Sequence, residues 1–211
     1  MAQMSMNKVI HGAVRRDLDR FVVALDHFPS GDRARAADLS RAWENFDEQL
    51  TYHHEGEHRI AWPALQSVGV SPELLTELDA EHDTMAAALA ETRTAIGSLA
   101  RTGGAAEASA ARDAVARLRD VTSAHLDHEE TEIEGVYQAK RDTPEIKAMG
   151  KAFARDGGVS RGGRFFAWVL DGASEEERRA ATSEVPGPVL AVLTGIFGRG
   201  YRTNVAPVWR R

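Results

Sequence analysis

Residues 51–63 read TYHHEGEHRIAWP, a stretch that places three histidines within six positions. Upstream of it, apolar side chains recur every three or four residues, which is the period of a helix with one buried face. His53 and Glu57 continue that series, which runs Trp43, Phe46, Leu50, His53, Glu57, Ile60. We therefore predict a helix that directs an imidazole and a carboxylate into an apolar interior and ends at Trp62–Pro63.

Three other segments have the same spacing, and glycine, proline or serine separates them. One ends before Pro29, the next begins at Ser71–Pro72, and the last follows the linker RTGGAAE at residues 101–107. Their inward series are His11, Val14, Leu18, Phe21, Leu25, Phe28; Leu75, Leu78, His82, Met85, Leu89, Thr92, Ile96, Leu99; and Val115, Leu118, Thr122, His125, Glu129, Glu132, Val136. Four long amphipathic helices with short connections predict an all-α fold, an up-down-up-down four-helix bundle.

Charge is distributed unevenly along the 211 residues. Residues 1–140 carry 14 basic and 24 acidic side chains and all eight histidines, whereas residues 141–211 carry 12 basic and 8 acidic side chains. The acidic first part argues against nucleic acid as a partner. No apolar run reaches the roughly 18 residues of a membrane span, and the start lacks the pattern of a secretory signal. Together with the absence of cysteine, these features predict a cytoplasmic protein.

Six polar residues occupy the inward faces of the four predicted helices. They are His11, His53, Glu57, His82, His125 and Glu129. Their positions in the first or second half of each helix predict one common layer, because neighbouring helices of such a bundle run antiparallel. Buried imidazoles and carboxylates are costly without partners, and a metal ion offsets that cost. The donor atoms are too many for one tetrahedral zinc and suit two first-row metals bridged by carboxylates.

The residues His11, HHEGE at 53–57, EHDTM at 81–85 and HLDHEE at 125–130 resemble the haemerythrin-like (HHE cation-binding) family. The family pattern is one histidine, His-x-x-x-Glu, one histidine and a second His-x-x-x-Glu, each on its own helix, and the resemblance covers about residues 8–138. It implies that the six inward residues bind two iron ions (Fe2+/Fe3+), bridged by carboxylate and by an oxo or hydroxo group, without haem.

One position departs from the oxygen-carrying haemerythrins, whose third helix supplies two histidines four residues apart. Here Ala86 stands four residues after His82. The resemblance leaves this coordination position open, bound to water, or filled from elsewhere. His54 is the leading substitute, because some relatives use the residue beside the second-helix histidine. Further candidates for a ligand or for a hydrogen bond to one are Tyr52, His58, His128 and Tyr137.

Two alternatives remain open at this stage. His54 and His58 are also four residues apart and could replace His53 and Glu57 as the inward pair, although the apolar series favours the latter. Glu130, like His128, flanks the last ligand pair and either hydrogen-bonds a ligand or lies on an exposed face.

The resemblance implies a non-haem di-iron protein that reacts with O2, H2O2 or NO. The most concrete version is a catalase-like or peroxidase-like oxidoreductase that removes peroxide under oxidative stress, with peroxide bound at the position vacated at Ala86. The alternatives are an oxygen- or iron-binding protein for carriage or storage, without turnover, and a redox sensor.

Residues 141–211 read as four short helices separated by glycine and proline. Ser174 and Glu177 form the pattern of a capping box, and the apolar side chains near Phe165 and Leu190 need a surface to pack against. We therefore expect residues 1–140 to be the haemerythrin-like domain. Residues 141–211 would be an extension that packs on it, covers its metal-bearing end or forms a homodimer interface.

Overall fold

The computed structural model describes residues 4–210, which consist of helices and short connections with no β-strand among them. Residues 1–3 and 211 lie outside the described residues. They are the first residues of the expected region 1–140 and the last residue of the expected region 141–211. The α-helices are α1 Met6–Asp26, α2 Arg33–Gly56, α3 Trp62–Ser67, α4 Pro72–Thr102, α5 Ala105–Lys140, α6 Pro144–Asp156, α7 Gly158–Val169, α8 Glu175–Glu184 and α9 Gly187–Ile196. The all-α class and the short C-terminal helices are confirmed.

The helix ends follow from local chemistry. Ser71 caps α4 by accepting a hydrogen bond from the backbone N–H of Leu74, and Pro72 fills the first turn. At the other end of α4, Gly103 adopts φ 68°, a left-handed conformation that glycine takes without strain. The predicted capping box is present at the start of α8, where Ser174 and Glu177 bond each other's backbone.

The four long helices contact one another as neighbours: α5 packs on α1 and α4, α2 packs on α4, and α1 contacts α2. Their apolar faces meet in a main core, whose largest side chains are fully buried. The rings of Phe21 and Phe46 lie at its centre with Trp43 against them. Within residues 4–210, no helix combines the length and the hydrophobicity that crossing a membrane requires.

The second helix does not end at Trp62–Pro63, as the sequence indicated. A π-helical turn, Glu57–Ala61, joins α2 to α3, and the backbone N–H of Trp62 donates to the carbonyl of Glu57 five residues earlier. This wide turn changes the residues that face inward after Glu57. Ala61 and Trp62 are buried there, whereas Ile60, which the regular period predicted, is only partly buried. The helical path then continues to Ser67.

A second, smaller apolar cluster closes the end of the long helices beyond the histidine layer. Its buried members are Ala61, Trp62, Leu65, Val70, Leu75, Leu78, Ile133 and Tyr137. On α5, Ile133 and Tyr137 face inward, while the predicted Glu132 is exposed and Val136 is partly buried. The histidine layer therefore lies between the main core and this end cluster.

The C-terminal helices pack on the long helices. Trp168 of α7 is fully buried in the main core, and its indole N–H donates to the buried carboxylate of Asp17 at 2.7 Å. Arg16 and Arg20 contact the same carboxylate, so the charge of Asp17 is compensated where α7 meets α1. The last turns, Tyr201–Val205 and Ala206–Arg210, pack against α2.

Candidate metal centre

All six inward residues predicted from the helical period are buried. His11, Glu57 and Glu129 are at most 1% exposed, and His125, His53 and His82 are at most 9% exposed. Each of α1, α4 and α5 contributes from a regular helical turn, while α2 contributes from its last turn and the π-turn that follows. The structure thus brings together side chains that are up to 118 positions apart in the sequence.

The donor atoms form two groups, each within 4.8 Å, and Glu57 belongs to both. The first group comprises His11, His53, Glu57 and Glu129. Within it, Nε2 of His53 lies 3.1 Å from Oε1 of Glu57, and Nε2 of His11 lies 3.2 Å from Oε2 of Glu129. The second group comprises His54, Glu57, His82 and His125. Here Oε2 of Glu57 lies 3.4 Å from Nε2 of His82.

His54 lies in the second group, whereas His58 does not. The His54 ring stacks on that of His82 with 4.2 Å between centroids, and both His53 and His54 face the interior. His58 is exposed and contacts Asp79 through Nδ1 at 2.9 Å. The alternative pairing of His54 with His58 as the inward pair is therefore wrong.

Ala86, one turn after His82, supplies no donor atom. It is exposed, and Met85 beside it faces the main core instead. The binding of peroxide at the position vacated at Ala86 stays a prediction.

Carboxylates outside the two groups contact the Nδ1 atoms of three imidazoles, those of His11, His125 and His128. Nδ1 of His11 lies 3.1 Å from Glu130, which also contacts Arg15 and Lys8. Nδ1 of His125 lies 2.8 Å from Glu81, whose second oxygen is equally close to Nδ1 of His128. An Nδ1–H that donates to a carboxylate leaves the Nε2 lone pair directed inward, which is the arrangement metal-binding histidines use. Glu130 thus hydrogen-bonds a candidate ligand rather than lying free.

Two more polar residues near the site were not found from the sequence. The amide of Asn7 donates to Oε1 of Glu129 at 2.9 Å. Asp79 accepts from the indole N–H of Trp62 at 2.8 Å and lies 3.6 Å from Nδ1 of His82. Asp79, like Glu81, falls outside the apolar series of α4, so the period assigned it to the solvent side.

The two tyrosines proposed as extra ligands lie in different places. The hydroxyl of Tyr52 points away from both groups and donates to Asp156 of α6 at 2.8 Å. Tyr137 is buried in the end cluster, and burial together with the charges of Glu129 and Glu57 raises the pKa of its phenol.

Burial keeps most of the imidazoles neutral. It lowers the pKa of His82 to about 4 and places the pKa values of His53 and His54 well below the ordinary value, an effect that neighbouring imidazoles increase. His11 differs, because its contacts with the carboxylates of Glu129, at 3.2 Å, and Glu130, at 3.1 Å, outweigh its burial and raise its pKa. Neutral imidazoles are the form that binds metals.

The two glutamates have opposite shifts. Burial and the charge of Glu129 raise the pKa of Glu57. Burial opposes ionisation of Glu129 too, but its contact with His11 prevails and lowers its pKa. A cation between the two carboxylates would remove their mutual repulsion.

The donor atoms fit metal ions, because several of them are buried and lack a hydrogen-bond partner. Among the described residues, buried atoms without a hydrogen-bond partner include Nε2 of His11, His53 and His54, both oxygens of Glu57, and Oε2 of Glu129. Each such buried atom costs roughly 1–3 kcal/mol if left unsatisfied. Their convergence in one layer is the arrangement in which bound cations satisfy all of them at once.

Comparison with known proteins agrees with this geometry. The family model described as the hemerythrin HHE cation binding domain matches residues 7–137. Neither the curated proteins nor the solved structures gave a match. The matched range begins at the start of α1, ends at Tyr137 and contains every residue of the two donor groups. Since the match covers more than half of the chain and includes the paired histidines and glutamates, this chain belongs to the hemerythrin HHE cation-binding domain family.

Proposed function

We propose that this chain is a non-haem di-iron protein that reacts with O2, H2O2 or NO, with removal of peroxide as its most concrete activity. The observation that carries the proposal is the position of Glu57 between two buried donor groups. One oxygen of this carboxylate faces His53 and the other faces His82. A carboxylate in that position can bridge two cations.

The two positions would have different ligands. His11, His53, Glu57 and Glu129 would hold the first ion, and His54, Glu57, His82 and His125 the second. Mixed imidazole and carboxylate donors suit first-row metals such as iron. Each set would supply four protein donor atoms, and the bound metal would supply the chemistry with O2, H2O2 or NO.

A bound pair of irons would supply the redox chemistry, which is a two-electron exchange with dioxygen or peroxide. The chain's own residues would orient the ligands and keep water away from the reaction. Glu130 and Glu81 fix the orientation of His11 and His125 through their Nδ1 atoms. The main core and the end cluster enclose the layer with apolar side chains and exclude bulk water.

The proposal includes the arrangement of the whole chain. The helix contacts support an up-down-up-down four-helix bundle as the metal-binding domain, residues 1–140, with residues 141–211 as an extension packed on it. A homodimer formed through this extension stays a prediction.

Metal analysis combined with a visible spectrum tests the proposal directly. The full chain, purified with iron, should contain about two iron ions per chain and show ligand-to-metal absorption. Glu57→Ala should lose most of the iron, because it removes the carboxylate common to both groups. His27→Ala is the matched control, since His27 is exposed and its ring contacts the carbonyl of Val23 on its own helix. Equal iron content in Glu57→Ala and the unmodified chain would contradict the shared-ligand assignment.

Activity measurements separate the candidate functions. Addition of H2O2 should release O2 if the protein removes peroxide. A reduced sample that forms a stable, reversible visible band with O2 would instead indicate carriage. Oxidation without gas release or a stable band would favour the redox-sensing alternative.

A further inference from the structure

Helix α6 packs on residues 52–59, the end of α2 and the start of the π-turn, which carry three of the candidate ligands and are called the α2 turn below. Gly56 immediately precedes Glu57, and a Cβ at this glycine would lie only 2.7 Å from Cε1 of Phe153. The Phe153 ring thus occupies the space that any other residue at position 56 would fill with a side chain. Contact at this point is with the backbone of the ligand-bearing turn itself.

Hydrogen bonds also join α6 to the α2 turn. Asp156 at the end of α6 accepts hydrogen bonds from the hydroxyl of Tyr52, at 2.8 Å, and from the guanidinium of Arg59. These two donors flank His53, His54 and Glu57 in the sequence. Arg161 of α7 also lies over the Tyr52 ring, 4.1 Å from its centroid.

The α2 turn is anchored differently from the other ligand-bearing turns. His11, His82 and His125 each face a carboxylate at Nδ1, supplied by Glu130, Asp79 and Glu81, respectively. Buried atoms without a hydrogen-bond partner are also most numerous here. There are four, Nε2 of His53, Nε2 of His54 and both oxygens of Glu57, against one candidate donor atom each on α1 and α5 among the described residues. The inward donor atoms of this turn would therefore be satisfied by bound cations, while its outer side contacts α6.

Helix α6 itself is weakly held. It has no fully buried residue, and only Ile146, Met149 and Phe153 pack against the end cluster, each partly buried. A helix of 13 residues is marginal on its own. Segments with few buried apolar contacts open at a low free-energy cost. A modest change in the geometry of the α2 turn would therefore shift the docking equilibrium of α6 measurably.

We propose that α6 is a metal-responsive strap, docked through Phe153 and Asp156 on the α2 turn. Filling the two metal positions tightens the docking of residues 144–156, and emptying them loosens it. This inference rests on the proposed metal site and assigns it a regulated element. Since coupling between two sites is reciprocal, loosening the strap lowers metal affinity by the same factor by which metal tightens the strap.

Hydrogen exchange of the full chain tests the strap without any substitution. Amide exchange is measured by mass spectrometry with the metal removed and after anaerobic loading with Fe2+. Peptides covering residues 144–156 should exchange about tenfold more slowly with Fe2+ bound, within the usual range of coupling energies. Helix α9, residues 187–196, is the internal control, because it packs mainly on α7 and should change little.

Substitutions test the reciprocal effect. Phe153→Ala should raise exchange of residues 144–156 in both states and lower Fe2+ affinity by up to about tenfold. Phe197→Ala removes the same type of side chain at the end of α9 and should leave both quantities unchanged. Asp156→Ala, which removes the acceptor of both hydrogen bonds and leaves Phe153 in place, provides a second variant if Phe153→Ala does not fold.

The outcomes separate the strap from the metal site. If Fe2+ binds the unmodified chain but exchange of residues 144–156 is the same with and without it, the strap is overturned and the metal site stands. If the unmodified chain binds no Fe2+, both the strap and the proposed function fail. Slower exchange in residues 144–156 with weaker Fe2+ binding by Phe153→Ala supports the strap.

Discussion

The main core and the histidine layer are adjacent parts of the same four helices, but they are stabilised in opposite ways. The core consists of apolar side chains such as Phe46 and Leu118, which are fully buried and need nothing from outside the chain. The layer buries imidazoles and carboxylates at the same depth, and several of their inward atoms have no partner. The core therefore provides the stability that lets the layer hold unsatisfied donors in place for metal ions.

The largest expected effect concerns the core alone. Phe46→Ala should lower the free energy of unfolding by about 3–5 kcal/mol, because it leaves a large cavity among packed rings. Denaturant unfolding should give the same loss with and without metal. Val23→Ala, at an exposed position of α1, should change stability by less than about 0.5 kcal/mol. A loss that disappears on metal loading would show that the core and the layer are not independent.

Metal loading should act on the layer with an effect of similar size. At a free Fe2+ concentration about 1,000 times the dissociation constant, binding to the folded state adds about 4 kcal/mol to its stability. Thermal unfolding under anaerobic conditions would measure this gain. Glu129→Ala should abolish most of it, since Glu129 is a donor of the first group. Retention of the full gain in Glu129→Ala would exclude this carboxylate as a ligand.

Acid should destabilise the metal-free layer but not the core. The pKa of His82 is about 4 in the folded chain because of burial, and those of His53 and His54 are also lowered. Between pH 6.5 and about 4 the unfolded chain binds protons that the folded chain does not, so stability falls as the pH falls. His82 alone accounts for about 3 kcal/mol. The raised pKa values of His11 and Glu57 act in the opposite direction.

Urea unfolding of the metal-free protein at several pH values would check this loss. The difference between Phe46→Ala and the unmodified chain should stay constant over the same pH range. A stability independent of pH would show that the lowered pKa values of His53, His54 and His82 do not outweigh the raised values of His11 and Glu57.

The smallest expected effect concerns the residues around the layer. Glu81→Gln should weaken Fe2+ binding by about 10- to 100-fold, because Glu81 orients His125 through Nδ1. The comparison variant is Glu77→Gln, one turn earlier on the exposed face of α4. Competition with a coloured chelator would compare the two affinities. Equal affinities would show that the contact with Glu81 does not orient the ligand.

The core and the main ligands were predictable because both obey the same rule. Burial of one helix face imposes a period on apolar residues, and His82 or Glu129 is detectable as a polar residue that keeps the period. Neighbouring residues on a helix point about 100° apart, so this rule admits only one of His53 and His54. The family resemblance, not the period, indicated His54.

Other features of the site do not obey that rule. Glu81 and Asp79 act from the sides of α4, where polar residues are ordinarily exposed. The π-turn carries no composition signal and shifted the inward residue from Ile60 to Ala61 and Trp62. The contact of Phe153 with Gly56 joins residues 97 positions apart and depends on how the C-terminal helices pack. Local patterns hold no information about such contacts.

The π-turn gives the second helix one site where its length can vary. Glu57 and Trp62 are five residues apart across this turn but both face inward. Removal of one exposed residue, His58 or Arg59, would close it to an ordinary α-turn and leave Glu57 and Trp62 on the same side. A deletion within α2 itself would instead rotate the flanking segments by about 100°. Within the segment from α2 to α3, a single-residue deletion compatible with metal binding should therefore fall at His58 or Arg59.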